Sequence, residues 1–173
     1  MPKKEFTIAN DLLFAITAAV GKMMELSPYA LRDKILFGKN YNTYRNTVYN
    51  IRKKGLVKIV TKDGKKFLKL TKKGELEVLL AKARMPTKEK WDGKWRLVMF
   101  DIPEEAKRQR DKLRDLLKRN NFFKFQESVY VSPYPFNREA IKYLQETKLI
   151  RYIRILKVEE MDNDSALRKR FAV

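Results

Sequence analysis

The segment from Leu56 to Thr71, which reads LVKIVTKDGKKFLKLT, constrains the fold more than any other part of the sequence. It contains two strand-forming runs that are joined by Asp63 and Gly64. An Asp-Gly pair between two such runs is the strongest short-range signal of a tight hairpin, because both turn residues must adopt a positive φ. The sequence therefore predicts a β-hairpin over this segment.

Two helices are predicted near the N-terminus. Apolar residues recur at helical spacing from Ile8 to Met24, which favours a buried first helix. Ser27 and Pro28 form a typical helix start, and Gly38 is a typical end. We therefore expect a short second helix between them.

A third helix is predicted directly before the hairpin. Asn42 and Thr43 are its candidate N-caps, and Gly55, which follows two lysines, is a strong stop signal. One face of this helix carries apolar residues, namely Tyr44, Val48 and Ile51. Three helices followed by a hairpin resemble a winged helix-turn-helix domain, which we assign to residues 1–85. The resemblance implies binding to double-stranded DNA.

The outward face of the third helix carries the side chains expected of a DNA-reading helix. Asn and Arg pair bidentately with adenine and guanine, and the sequence has no acidic residue from Lys39 to Lys54. The candidate base-reading residues are Asn42, Thr43, Arg45, Asn46, Tyr49 and Asn50. The candidate phosphate contacts are Lys39, Arg52, Lys53, Lys54, Lys62, Lys65 and Lys66, of which the last three surround the hairpin turn. A plain basic surface helix and a flexible lysine turn are the alternatives.

The composition favours a polyanionic partner and excludes several chemistries. Forty Lys and Arg residues against 21 Asp and Glu residues give a net charge of +19. The chain has no cysteine and no histidine, which excludes disulfides, thiolate metal sites and Ser-His-Asp catalysis. The longest apolar run, Leu12 to Val20, is shorter than the ~20 residues of a membrane span. We expect a cytoplasmic protein with no membrane partner.

The second half predicts a ferredoxin-like domain of order βαββαβ. Residues 86–90 are polar and contain a proline, so we expect a linker there. Strand and helix patterns then alternate over residues 91–160, beginning with a nearly continuous apolar strand from Arg96 to Ile102. Residues 161–173 are expected to form a polar, frayed tail, with docking through Leu167 and Phe171 as the alternative. The predicted class is α+β, with a winged helix-turn-helix domain followed by the ferredoxin-like domain.

A more specific resemblance lies between Trp91 and Pro133, in WDGKWRLVMFDIPEEAKRQRDKLRDLLKRNNFFKFQESVYVSP. This segment looks like the central domain of PaaX-like transcriptional repressors, which is akin to the small endonuclease subunit of CRISPR spacer acquisition. The resemblance implies a homodimer formed through the ferredoxin-like domain. PaaX-like repressors carry a further C-terminal domain, for which we expect no room before Val173. Their response to an aryl coenzyme A thioester is therefore not carried over, and no effector is assigned.

Asp101 stands at the end of the first strand, where the CRISPR nuclease family places a metal-binding aspartate. The resemblance makes Asp101 a candidate catalytic and metal-binding residue, with Mg²⁺ or Mn²⁺ held between two protomers. A cap on the helix that begins near Pro103 is the simpler interpretation of the same residue.

The function predicted from the sequence is sequence-specific binding to double-stranded DNA by a homodimeric transcriptional regulator of the repressor type, which requires no cofactor. The alternative is a divalent-metal-dependent endonuclease that uses Asp101. A general nucleic-acid packaging protein is a third hypothesis. Base stacking by aromatic residues of the second domain is a further alternative for Phe122, Phe123, Phe125, Tyr130, Tyr134 and Phe136.

Overall fold

The computed structural model describes residues 8–19, 23–26, 41–87 and 89–173. The predicted α+β class is confirmed, and the chain divides into two compact units, Met1–Val78 and Leu79–Val173. The division falls inside a helix, earlier than the predicted boundary after residue 85. The reason is that Leu79, Leu80 and Ala83 pack in the core of the second unit.

The first unit combines helices with a three-stranded antiparallel sheet, and the strand order in the sheet is β1-β3-β2. Its elements are α1 (Ile8–Ala18), β1 (Met23–Glu25), α2 (Tyr41–Lys53), β2 (Val57–Lys62), β3 (Lys65–Leu70) and the start of α3 (Lys72–Ala83). The predicted second helix, Ser27 to Gly38, lies outside the described residues. Residues from α1, α2, the sheet and α3 share one apolar core.

The predicted first helix is wrong at its C-terminal end. Helix α1 stops at Ala18, and Met23 to Glu25 form a strand that pairs with Phe67 to Lys69 of β3. Met24 faces the core of the first unit, as a helical residue would. An apolar residue at this position therefore fits the spacing of a helix and that of a strand equally well. The hydrogen bonds to β3 favour the strand.

The predicted hairpin is confirmed. Asp63 and Gly64 both have a positive φ, 50° and 73°, as a two-residue type I′ turn requires. This turn sets Lys62 opposite Lys65 and Val57 opposite Leu70.

The end of α2 is fixed by backbone hydrogen bonds around Gly55, whose φ is 70°. The Gly55 amide donates to the carbonyl of Arg52 at 2.8 Å, and the Leu56 amide donates to that of Ile51 at 2.9 Å. These two bonds form a Schellman motif, and Ile51 and Leu56 are buried in the same core. The stop signal read from the sequence therefore also sets where β2 begins.

Helix α3 begins at a side-chain cap. The Gly74 amide donates to the Thr71 hydroxyl at 3.1 Å, which satisfies one of the free amides of the first turn. The Thr71 hydroxyl in turn donates to the Gly55 carbonyl at 2.6 Å. One threonine thus links the end of α2 to the start of α3.

The second unit has the predicted βαββαβ order. Its elements after α3 are β4 (Trp95–Phe100), α4 (Lys107–Arg119), β5 (Phe123–Gln126), β6 (Val129–Ser132), α5 (Arg138–Glu146) and β7 (Ile153–Val158). The sheet is antiparallel with the order β5-β6-β4-β7, so β4 is an inner strand as its apolar sequence indicates. Helices α4 and α5 pack on one face, where Val98 and Phe100 meet Leu116 and Leu144.

The expected fraying of the tail is wrong, and the alternative of docking through Leu167 and Phe171 is confirmed, because residues after Glu160 fold back onto the other face of this sheet. Helix α6 (Ser165–Phe171) buries Leu167 against Trp95 and Val131. The Trp95 indole donates to the carboxylate of Asp164 at 2.9 Å. The partner of Leu167 and Phe171 is Trp95, which is far away in the sequence, so the polar composition of the tail favoured fraying.

The attachment of α6 is expected to weaken in acid. Arg168, which donates to both Asp164 oxygens, and Trp95 lower the pKa of the Asp164 carboxyl below its ordinary value. A lowered pKa in the folded state stabilises the protein above the unfolded value, about 3.9, and that contribution is lost as the pH falls through the folded value. Between pH 5 and strongly acid conditions, wild type should therefore lose more stability than Asp164→Asn, measured by tryptophan fluorescence in urea. Equal losses in the two proteins would contradict this.

Candidate nucleic-acid interface

The outward face of α2 carries the residues that the sequence predicts to read bases. The apolar residues Tyr44, Val48 and Ile51 are buried and turn the opposite face of the helix to solvent. The predicted base-reading residues that are exposed on this face are Asn42, Arg45, Asn46, Tyr49 and Asn50. Tyr49 is 62% exposed, so its aromatic ring is not part of the apolar core.

Two details of this face differ from the prediction. Asn42 and Thr43 are not N-caps, because the helix already includes Tyr41. Thr43 is half-buried, and its carbonyl accepts a hydrogen bond from the Thr47 hydroxyl at 2.8 Å. The side chain of Thr43 therefore lies at the margin of the exposed face and not at its centre.

The C-terminal end of α2 is basic. Arg52, Lys53 and Lys54 are all exposed, and cations at this end are favoured by the helix dipole. The Lys73 amine donates to the Lys54 carbonyl at 2.7 Å, which adds a cation from α3 to the same end. Lys39, the remaining candidate in this region, lies outside the described residues.

The hairpin turn presents the three lysines that the sequence predicts, but they are not equivalent. Lys62 and Lys66 are exposed and have no ion pair among the described residues. The Lys65 amine lies 3.7 Å from the Glu25 carboxylate on β1; the Lys65 side chain is 65% exposed and the Glu25 side chain 39%. Such a pair is weak, so Lys65 is only partly neutralised.

Two basic residues of the sheet were missed by the sequence interpretation. Lys58 and Lys69 lie directly opposite each other on β2 and β3, and both are exposed. The strand alternation and the two-residue turn contain enough information to place them. From Tyr41 to Thr71 the chain has nine Lys and Arg residues and one acidic residue, Asp63.

Asp101 is exposed at the end of β4. It does not cap the following helix, because the 3-10 turn Glu104–Ala106 begins after Pro103 without a side-chain cap. The Asp101 amide donates to the Tyr152 carbonyl at 3.0 Å, which fixes the backbone at this point. Across residues 8–19, 23–26, 41–87 and 89–173, no three side chains of the metal-binding types form a group.

Most of the aromatic residues of the second unit have structural contacts. Three of the six candidates are buried in its core, namely Phe122, Tyr130 and Phe136. The Phe123 ring is half-buried under the Arg170 guanidinium, which lies 3.8 Å from the ring centroid. Tyr134 is half-buried, and Phe125 is 48% exposed. The sheet therefore does not present a row of open rings for base stacking.

The described part of the chain contains no helix that is both long and apolar enough to cross a membrane. Residues 88–169 match the family model of the PaaX protein central Cas2-like domain. The second unit is therefore similar to that domain, which agrees with the resemblance found in the sequence from Trp91 to Pro133. No curated protein matches the chain.

Proposed function

We propose that this protein is a cytoplasmic, sequence-specific regulator of transcription that binds double-stranded DNA through a winged helix-turn-helix domain in its first unit. The observation that carries the proposal is the exposed face of α2, where Asn, Arg and Tyr side chains replace the Glu and Lys of an ordinary solvated helix. The similarity of the second unit to a domain of PaaX proteins supports a regulatory role.

The order of elements in the first unit supports the winged-helix assignment. A strand after the first helix, a helix directly before the hairpin and a sheet of order β1-β3-β2 are what such a domain requires. In this arrangement α2 is the helix that enters the major groove, and the turn at Asp63 and Gly64 is the tip of the wing.

The chemistry of each group suits its place in this proposal. Arg45 and the asparagines of α2 can each form two hydrogen bonds to a base edge, which discriminates among base pairs. Arg52, Lys53 and the lysines of the wing meet phosphates, which gives affinity without sequence preference. Tyr49 offers an amphipathic ring that can pack against a thymine methyl group or a sugar.

The regulator is proposed to act as a homodimer that is formed through the second unit. The sheet face that α6 partly covers leaves Met99 and Leu156 exposed by 38% and 41%. The adjoining strand β7 lies at the edge of the sheet, with backbone groups open to a partner. A two-fold dimer would present two copies of α2 to the two halves of a symmetric DNA site.

Selection from randomised duplexes at about 150 mM salt tests the proposal, because nonspecific binding is weak under these conditions. A two-fold symmetric motif among the retained duplexes is expected. Binding without any motif would favour a packaging protein, and loss of intact duplex in Mg²⁺ or Mn²⁺ that disappears in Asp101→Ala would favour the nuclease.

Arg45→Ala is expected to weaken the selected site by about 1 to 3 kcal/mol and to relax the preference at one base pair. Lys62→Ala, which removes a phosphate contact, should weaken all sequences to a similar extent. Fluorescence anisotropy with the selected duplex and a scrambled duplex measures both effects. Equal losses on the two duplexes for Arg45→Ala would contradict a base-reading role for that residue.

A further inference from the structure

The sheet of the first unit has an outer face, of which the proposed contacts of the wing tip use only the end next to the turn, Lys62 and Lys65. Residues of β2 and β3 alternate between the core and this face, because successive side chains of a strand point to opposite sides. Val57 and Leu70 are paired and buried, so the next pair, Lys58 and Lys69, points outward. Both lysines are exposed.

The outer face contains two pairs of lysines in direct register. Lys58 lies opposite Lys69, and Lys62 lies opposite Lys65, with Val60 and Phe67 between the two pairs. Like charges directly opposite each other across two strands destabilise a sheet. A free surface would be expected to place an acidic or neutral residue at one member of each pair.

Acidic side chains do little to neutralise this face. The Lys65 amine forms a long ion pair, 3.7 Å, with the Glu25 carboxylate. Lys58 and Lys69 form no ion pair within the described part of the chain. The neighbour of Lys69 on β1 is Met23, which carries no charge. The repulsion between Lys58 and Lys69 is therefore uncompensated within the sheet.

We infer that the outer face of this sheet extends the binding surface for nucleic-acid phosphates beyond the wing tip, with Lys58 and Lys69 as the lysine pair far from the turn. This inference rests on the proposed DNA binding and extends it to residues away from the base-reading helix. The two lysine pairs are four residues apart along each strand, about 14 Å at 3.4 Å per residue, which corresponds to about four base-pair steps of a duplex. A phosphate backbone along the hairpin would meet both pairs.

The spacing also decides which polyanion is favoured. A linear backbone with regularly placed phosphates can satisfy both pairs at once, whereas a single small anion can satisfy only one. Half-buried Phe67 between the pairs gives the centre of the surface an apolar body, which a sugar can contact. A nucleic-acid backbone is therefore the partner that fits this face.

The test compares two double variants of the full chain that have the same net charge. Lys58→Gln with Lys69→Gln removes the lysine pair far from the turn, and Lys72→Gln with Lys142→Gln removes two exposed lysines elsewhere. The probe is a duplex of mixed sequence, and Kd is measured by anisotropy between about 50 and 200 mM salt. The slope of log affinity against log salt should become less negative by about 2 in the first variant, at about 0.9 per phosphate contact, and by little in the control.

A second readout is the thermal stability of the free protein. Removing the like-charge pair should raise Tm at low salt by about 2 to 5 °C, whereas the control should not. A salt slope equal to that of the control overturns the inference, even where Tm rises, because the lysines would then repel each other without binding phosphate. The mixed-sequence probe keeps this outcome separate from a failure of sequence recognition, which the Arg45 variant measures. If the wild-type protein binds no duplex at all, both the proposed DNA binding and this inference are overturned.

Discussion

Gly74→Ala is expected to destabilise the first unit by about 2 to 3 kcal/mol, although alanine favours helices by about 1 kcal/mol. A Cβ atom at this position would lie 2.0 Å from the carbonyl oxygen of Leu56, and 3.0 Å from the Leu70 side chain. The oxygen belongs to the backbone between α2 and β2, so it cannot swing away as a side chain would. Urea unfolding of the full chain, followed by circular dichroism, measures the change.

Glu77→Ala is the matched control, because Glu77 is an exposed residue one turn further along α3. It should change the stability by less than about 0.5 kcal/mol. A Gly74→Ala protein as stable as wild type would show that α3 does not approach the Leu56 backbone this closely. Loss of stability should also weaken the proposed DNA binding, because the Leu56 backbone lies three residues after the end of α2.

Trp95→Ala is expected to have the largest effect in the second unit, about 3 to 5 kcal/mol. The side chain is 1% exposed, and its ring lies 5.4 Å from that of Trp91 and 6.0 Å from that of Phe171. The variant also removes the hydrogen bond to Asp164. Both losses act on α6, so this helix should be released before the rest of the unit unfolds.

Hydrogen exchange read by mass spectrometry tests this order of events. Peptides that cover α6 should exchange much faster in Trp95→Ala, while those of α4 and α5 should change less. Phe125→Ala is the control, because that ring is 48% exposed and its removal leaves no cavity. Protection of α6 at the wild-type level in Trp95→Ala would mean that its other contacts, with Trp91, Phe123 and Val131, are enough to hold the helix.

The candidate interface could be predicted largely from the sequence because its signals are local. The apolar spacing of Tyr44, Val48 and Ile51 fixes which side of α2 is exposed, and Gly55 fixes where the helix ends. The register of the hairpin follows from a turn of two residues, so even the missed pairing of Lys58 with Lys69 follows from the sequence once that turn is known. These features depend on residues only a few positions apart.

The features that the sequence did not indicate depend on contacts between distant segments. Met23 and Met24 suit a helix as well as a strand, and the open edge of β3 decides between them. The sequence offers Leu167 and Phe171 as docking residues of the tail but does not indicate their partner Trp95, which lies about seventy residues earlier. By its residue type Gly74 is only an unfavourable helix residue, and the Leu56 carbonyl beside it is what excludes a Cβ atom there.

The sequence by itself thus determined the βαββαβ order of the second unit, the hairpin of the first unit and the face that α2 exposes, because periodicity and turn chemistry act over a few residues. The tertiary structure decided the third strand of the first sheet, the packing of α6 and the weak pairing of Lys65 with Glu25. Each of these depends on hydrogen bonds or burial supplied by a partner far away in the chain, which no local pattern specifies.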